Sequence, residues 1–185
     1  MQSKYAELVK PVIILFLICL VTTAALAGTH LLTADTIENR QSEALKASLS
    51  EVLEADRYNE KTIGEGDEAV FYYHAIDTNN VIKGYLFATT ARGYGGEVTV
   101  LTAISPDGEI IRALAIDLSQ ETPGLGQNAA NESFLAQFIG KLGAVGVVKN
   151  NPGSAEVQAV TGATITSKAV TAAINEALEL WKKVK

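Results

Sequence analysis

The sequence predicts an α+β protein: one N-terminal membrane-spanning helix followed by a single domain in which an antiparallel sheet is flanked by helices. Three observations carry that prediction. An uncharged apolar run fills residues 11–30. A series of short β-branched and aromatic segments is separated by turn residues. The chain closes on an apolar stripe at helical spacing.

The chain has 185 residues, enough for one domain and an accessory segment. With 48% hydrophobic and 19% charged residues, the body has a globular composition. The formal charge is -6, with Lys4, Glu7 and Lys10 the only charges in residues 1–27, so the body is the acidic part. An acidic body excludes a phosphate-tracking nucleic-acid binder, which needs a basic face. A single cysteine, Cys19, excludes an intrachain disulfide and a cysteine-built metal or iron–sulfur site. It lies mid-span and reads as apolar filler.

Residues 1–10 form a short N-terminal segment with Lys4 and Lys10, and residues 11–30 are the predicted span, close to the ~20 residues a helix needs to cross hydrocarbon. Lysines before the span and Asp35 and Glu38 after it orient the N-terminus to the cytoplasm and the body to the extracytoplasmic face of the cytoplasmic (inner) membrane. Ala25-Leu26-Ala27 has the spacing of a signal-peptidase site, which is the alternative. The apolar run exceeds the usual signal core of about 7–15 residues, which favours a retained anchor in contact with lipid.

Residues 31–60 are assigned to a linker and an amphipathic helix, the latter over Ile37–Leu53, with Ile37, Ala44, Leu45, Leu49 and Val52 on one side. Four strands follow, over 69–76, 81–90, 97–105 and 109–118. Asp77-Thr78-Asn79-Asn80 and Pro106-Asp107-Gly108 supply two of the hairpin connections, so these strands pair antiparallel. A short helix is expected around Glu132–Ile139, and the Gly-rich run 141–160 has no assignment. In the last segment Val170, Ala173, Ile174, Ala177, Leu178 and Trp181 form the apolar stripe, with Asn175 on the surface. Lys182, Lys183 and Lys185 complement the helix dipole at its end, and Thr166 or Ser167 is the expected N-cap.

The loop entering this helix is the candidate site. A helix start offers unpaired N–H groups and partial positive charge, which favour a phosphate. Thr164 stands one step before it, with Gly162 and Ala163 leaving its hydroxyl accessible. On these residues alone an ordinary capped helix is the better explanation, because hydroxyl-rich helix starts are common. His30 and His74 read as a membrane-interface and a strand residue with no metal partner, and neither a nucleotide-binding glycine fingerprint nor a nucleophile-base pair is present.

TGATITSKAV, residues 161–170, resembles the flavinylation motif of the FMN-binding domain family found in RnfG of the Rnf (ion-translocating ferredoxin:NAD oxidoreductase) complexes and in NqrC of the sodium-pumping NADH:quinone reductases. ARGYGGEVTVLTAISPDGEI, residues 91–110, resembles the family's glycine-rich strand entry, and ETPGLG, residues 121–126, its flavin-ring loop. The family often has Asp three residues before the Ser/Thr of its motif, where this chain has Gln158.

The resemblance implies an FMN-binding domain over residues 61–185. FMN would be held as a phosphoester on Thr164, placed there from FAD by a magnesium-dependent flavin transferase that releases AMP. Thr161, Gly162, Ala163 and Thr166 would shape the attachment loop. Glu121 and Thr122 would bond the polar edge of the flavin, Gly124 and Gly126 would let peptide groups approach it, and Leu125 would cover its face. Tyr94 would stack on the ring or pack beside it. Other membrane subunits of the complex would be the partners, with no complete turnover by this chain alone. The rival readings are NqrC of the quinone reductase, a stand-alone extracytoplasmic flavoprotein, or a non-redox membrane-tethered assembly module.

Overall fold

The computed structural model describes residues 2–64 and 69–185. Helix α1 runs without a break over Gln2–Val52, with Pro11 inside it. Its apolar stretch Pro11–His30 has 20 residues, is unburied, and meets the length and composition needed to cross a membrane. The side chains of Ile37 and Ala44, part of the expected amphipathic stripe, lie outside the described residues. The chain divides after Ala44, and from Leu45 onward it forms the body. The helix expected over Ile37–Leu53 is therefore the continuation of the apolar helix and not a separate element.

The body is built on five strands: β1 (Arg57–Ile63), β2 (Val70–Ile76), β3 (Ile82–Arg92), β4 (Glu97–Ile104) and β5 (Ile110–Asp117). They lie in the order β1-β2-β3-β4-β5, every neighbouring pair antiparallel. The last four match the strands read from the sequence. β1 does not: its charged and polar residues give no apolar alternation, so pattern alone places it in the linker.

The two predicted turns close by the chemistry of their residues. Asp77 Oδ1 accepts from the N–H groups of Asn79 and Val81, both at 2.9 Å, and Asn80 takes the left-handed conformation at φ 65°. Ser105 Oγ accepts from Asp107 N at 3.2 Å and Glu109 N at 3.0 Å, and Gly108 has φ 92° against the Trp181 ring.

Strand alternation sends side chains to two apolar layers. On one face Phe87, Val98, Val100 and Ile104 pack with Val170, Ala173, Ile174 and Ala177 of the final helix. On the other Tyr73, Leu86 and Leu101 pack with Leu49 and Val52 of the last turns of α1. Each such aliphatic or aromatic side chain contributes about 1.5–3 kcal/mol on burial. Thr89 Oγ1 also donates to the Ala173 carbonyl at 2.7 Å, tying the sheet to the helix inside the first layer.

After β5 a loop leads into a 3-10 turn over Gly126–Ala130 and then α2 (Glu132–Leu135), which tightens to 3-10 geometry over Ala136–Phe138. The unassigned run contains β6 (Gly146–Val148) and β7 (Glu156–Gln158), paired parallel. The final helix α3 spans Thr164–Val184.

Its expected caps are corrected: the N-cap is Ala163, and Thr166 and Ser167 lie within the first turn. Thr166 turns to Glu121, while Ser167 Oγ accepts from Val160 N at 3.0 Å and donates to the Ala163 carbonyl at 2.9 Å. Asn175, expected on the surface, is half-buried. Its amide pairs with the backbone of Val145 in both directions, at 2.8 and 2.9 Å, as a neighbouring strand would.

Candidate functional site

Three loops converge on the start of α3. The first is the tight turn Gly93–Gly96 between β3 and β4, closed by Gly93 N to Gly96 O at 2.7 Å. The second is the segment 121–126 after β5. The third is the turn leading from β7 to α3, closed by Ala163 N to Val160 O at 3.0 Å.

Glu121 joins them. It is 2% exposed, its Oε2 accepts from Thr166 Oγ1 at 2.6 Å, and its Oε1 accepts from Gly95 N at 3.0 Å. Burial by itself raises the carboxyl pKa. The Thr166 hydroxyl and the N–H groups of Gly95, Tyr94 and Gly96 together outweigh burial and hold it below the ordinary value. The carboxylate is thus kept charged in the interior by donors from the Gly93–Gly96 turn and from α3.

The glycines around it are required by space. A Cβ on Gly93 would strike Glu121 Oε1, one on Gly126 would come to 2.5 Å from Oε2, and one on Gly95 would strike the Gln120 carbonyl oxygen. Only hydrogen at these positions lets the backbone approach the carboxylate closely.

Above this clamp lies a cavity of about 810 Å³. Tyr94, Glu121, Thr122, Leu125 and Gly126 line it from the first two loops, and Thr161, Gly162, Ala163, Thr164 and Thr166 from the third loop and α3. The structure therefore brings together the three separated motifs that the sequence singled out. Gly124 is not on the wall: its φ of 74° shapes the loop, and its carbonyl accepts from Asn128 Nδ2 at 2.7 Å.

Lys149, Asn150, Ala159, Val160 and Ile165 complete the lining, and sequence reasoning misses all five. Four of them lie in the run 141–160, whose strands of three residues each are too short for periodicity to reveal. Ile165 is the unassigned position inside TGATITS, and its apolar character beside Thr164 is the one available signal.

Thr164 is the first residue of α3, half-buried on the cavity wall, and among the described residues its hydroxyl makes no hydrogen bond. Thr166, two residues on, is 2% exposed with its hydroxyl committed to Glu121. Large apolar groups stand open at the cavity: Leu125 is 46%, Ile165 54% and Tyr94 70% exposed. His74 lies elsewhere, in β2, with its ring against Tyr72 and Tyr85. Burial first and Lys61 second lower its pKa.

Residues 93–179 match the FMN-binding domain family, and residues 1–52 match the RnfG N-terminal region. The chain is 35% identical over 163 residues to the RnfG-type subunit of the proton-translocating ferredoxin:NAD(+) oxidoreductase complex of Clostridium ljungdahlii, spanning 87% of this chain and 84% of that protein. It is 35% identical over 200 residues to the corresponding subunit of the Na(+)-translocating ferredoxin:NAD(+) oxidoreductase complex of Acetobacterium woodii, spanning 99% and 96%.

Among solved structures, the NqrC-type subunit of the Na(+)-translocating NADH-quinone reductase from Parabacteroides distasonis superposes with a TM-score of 0.58 at 22% identity, over 77% of this chain and 82% of that one. NqrC of Shewanella oneidensis gives 0.55 at 19% identity, over 66% and 64%. These two likenesses establish the fold. The extent and identity of the sequence matches, running from the apolar helix through the loops that build the cavity, establish that the chain belongs to the RnfG family of ion-translocating oxidoreductase complexes and contains an FMN-binding domain.

Proposed function

We propose that this chain is an electron-transfer subunit of an Rnf-type complex and carries FMN as a phosphoester on Thr164. The observation that carries the reading is a half-buried threonine whose hydroxyl has no hydrogen-bond partner among the described residues, at the first residue of a long helix, on the wall of a cavity large enough for a flavin nucleotide. FMN supplies the redox chemistry when bound, and the protein binds, orients and tunes it.

In this reading Thr164 Oγ1 attacks the FMN phosphorus of FAD inside a flavin transferase. A phosphorus–oxygen bond forms to Oγ1, the phosphoanhydride breaks, AMP leaves and the hydroxyl proton is released. Unpaired N–H groups in the first turn of α3 favour the anionic linkage. Leu125, Ile165 and Tyr94 offer apolar surface to a flat ring, and Thr122 a polar contact for its edge. Glu121 acts differently from the sequence expectation. With both oxygens taken by protein donors, it holds the loops in place around the ring.

The helix Pro11–His30 anchors the chain in the inner membrane among its partner subunits and lipid, with Lys4 and Lys10 on the cytoplasmic side and the body outside. A tethered flavin cannot diffuse away, which suits repeated relay between fixed partners.

The test is intact mass after co-expression with a flavin transferase. The unaltered chain gains one FMN less water, and Thr164→Val gains nothing while folding as before. Because Thr166 is committed to Glu121, its hydroxyl does not substitute. Covalent flavin on Thr164→Val would overturn the assignment.

A further inference from the structure

We infer that Lys149 is the resident cation that faces the phosphodiester of the flavin linkage, an inference that rests on the function proposed above. Among the described residues lining the cavity it is the only lysine or arginine, in a chain whose net charge is -6. The one acidic group on the same wall, Glu121, points its oxygens at Thr166 and the Gly95 N–H, and among the described residues it forms no ion pair with Lys149. Lys149 is exposed, and among the described residues it takes part in neither a hydrogen bond nor an ion pair.

Its placement follows from the parallel pair. Val148 is level with Gln158, and Ala159 N donates to the Val148 carbonyl at 2.8 Å, extending the pairing by one residue. Two parallel segments about 4.8 Å apart therefore leave the sheet at the same end and in the same direction. One continues as Lys149-Asn150. The other continues as Ala159-Val160, turns through Thr161 and Gly162, and delivers Thr164 to the head of α3.

Lys149 thus enters from the side of the attachment loop, while Tyr94 and Thr122 approach from the loops at the sheet. A phosphodiester keeps one negative charge after esterification. A flexible ammonium with three donors is suited to meet it at a solvent-facing cavity mouth.

The experiment uses the full chain, flavin-loaded, in a phosphorus-free detergent, and reads the 31P resonance of the linkage together with the flavin midpoint potential. Lys149→Gln should displace the 31P resonance and leave the potential unchanged. Lys149→Arg should hold the resonance near its unaltered position. Lys183→Gln, an equal charge change near the far end of α3, should leave it in place.

If the 31P resonance is the same in Lys149→Gln as in the unaltered chain, the inference fails. A change in potential with an unmoved 31P resonance places Lys149 at the ring and also overturns it. If Lys149→Gln takes no flavin while Lys149→Arg does, a cation is required at the linkage and the inference stands. Absence of covalent flavin from the unaltered chain would appear first, by mass, and would overturn the function proposal independently of any Lys149 variant.

Discussion

Replacing Thr166 by valine removes one hydroxyl from the interior and almost nothing else, because the two side chains have nearly the same shape. The lost bond is Thr166 Oγ1 to Glu121 Oε2 at 2.6 Å, between groups that are each 2% exposed. Hydrogen bonds to a charged partner in such a place are worth about 1.5–3 kcal/mol, so Thr166→Val should destabilise the body by about 2 kcal/mol at pH 7. For a body of this size that lowers the melting temperature by roughly 6 °C.

Trp181, the chain's only tryptophan, packs from α3 onto the Gly108 turn and reports unfolding in urea by its fluorescence. The pH dependence has a definite sign. Glu121 is held below its ordinary value of 4.5, so its contribution is complete above that pH and is lost as pH falls through the lower folded value. Thr166→Val removes one of the causes that lower it, so the stability gap between variant and unaltered chain should close on acidification below about pH 4.5. A variant within about 0.5 kcal/mol of the unaltered chain at pH 7, or a gap that persists undiminished in acid, would refute the clamp.

Two glycines that look alike in sequence should respond differently. Gly95→Ala drives a Cβ onto the Gln120 carbonyl and should cost about 1–3 kcal/mol by urea unfolding. Gly124→Ala has open space and only a φ of 74° to contend with, so it should cost about 1 kcal/mol; the reverse order would contradict the packing described. Asn175→Ala removes two bonds to Val145 and should cost about 1–2 kcal/mol, with loss of hydrogen-exchange protection at the Val145 amide as the local readout.

What could be read from the chain depended on whether a local rule or a distant partner set the outcome. The last four strands were legible because turn residues with a mechanism, Asp77 and Asn80 in one hairpin and Ser105 and Gly108 in another, bracket them. α3 was legible because its stripe is periodic, but its cap was not. Thr166 is drawn away by Glu121, a partner 45 residues distant that no local pattern announces.

The three site motifs were visible, yet Lys149 was not. Its position follows from a parallel pairing of three residues on each side, set by tertiary packing and not by propensity. The role of Glu121 was likewise hidden. A carboxylate in a Gly-rich loop reads as a ligand contact until its burial and donors are known.

β1 has a further consequence for how this protein behaves among its own copies. A terminal strand exposes a row of unpaired amides and carbonyls to any extended segment that drifts past. At the opposite border, β5 is partly closed, since Gly140 N donates to Ile110 O at 2.9 Å and Ile110 N to Lys141 O at 3.1 Å. Among the described residues no backbone bond covers the outer border of β1, which carries Arg57, Glu60 and Lys61 along seven residues. The polarity that hid this strand from pattern reading repels a second molecule's border, keeping copies apart when they crowd in the plane of a bilayer.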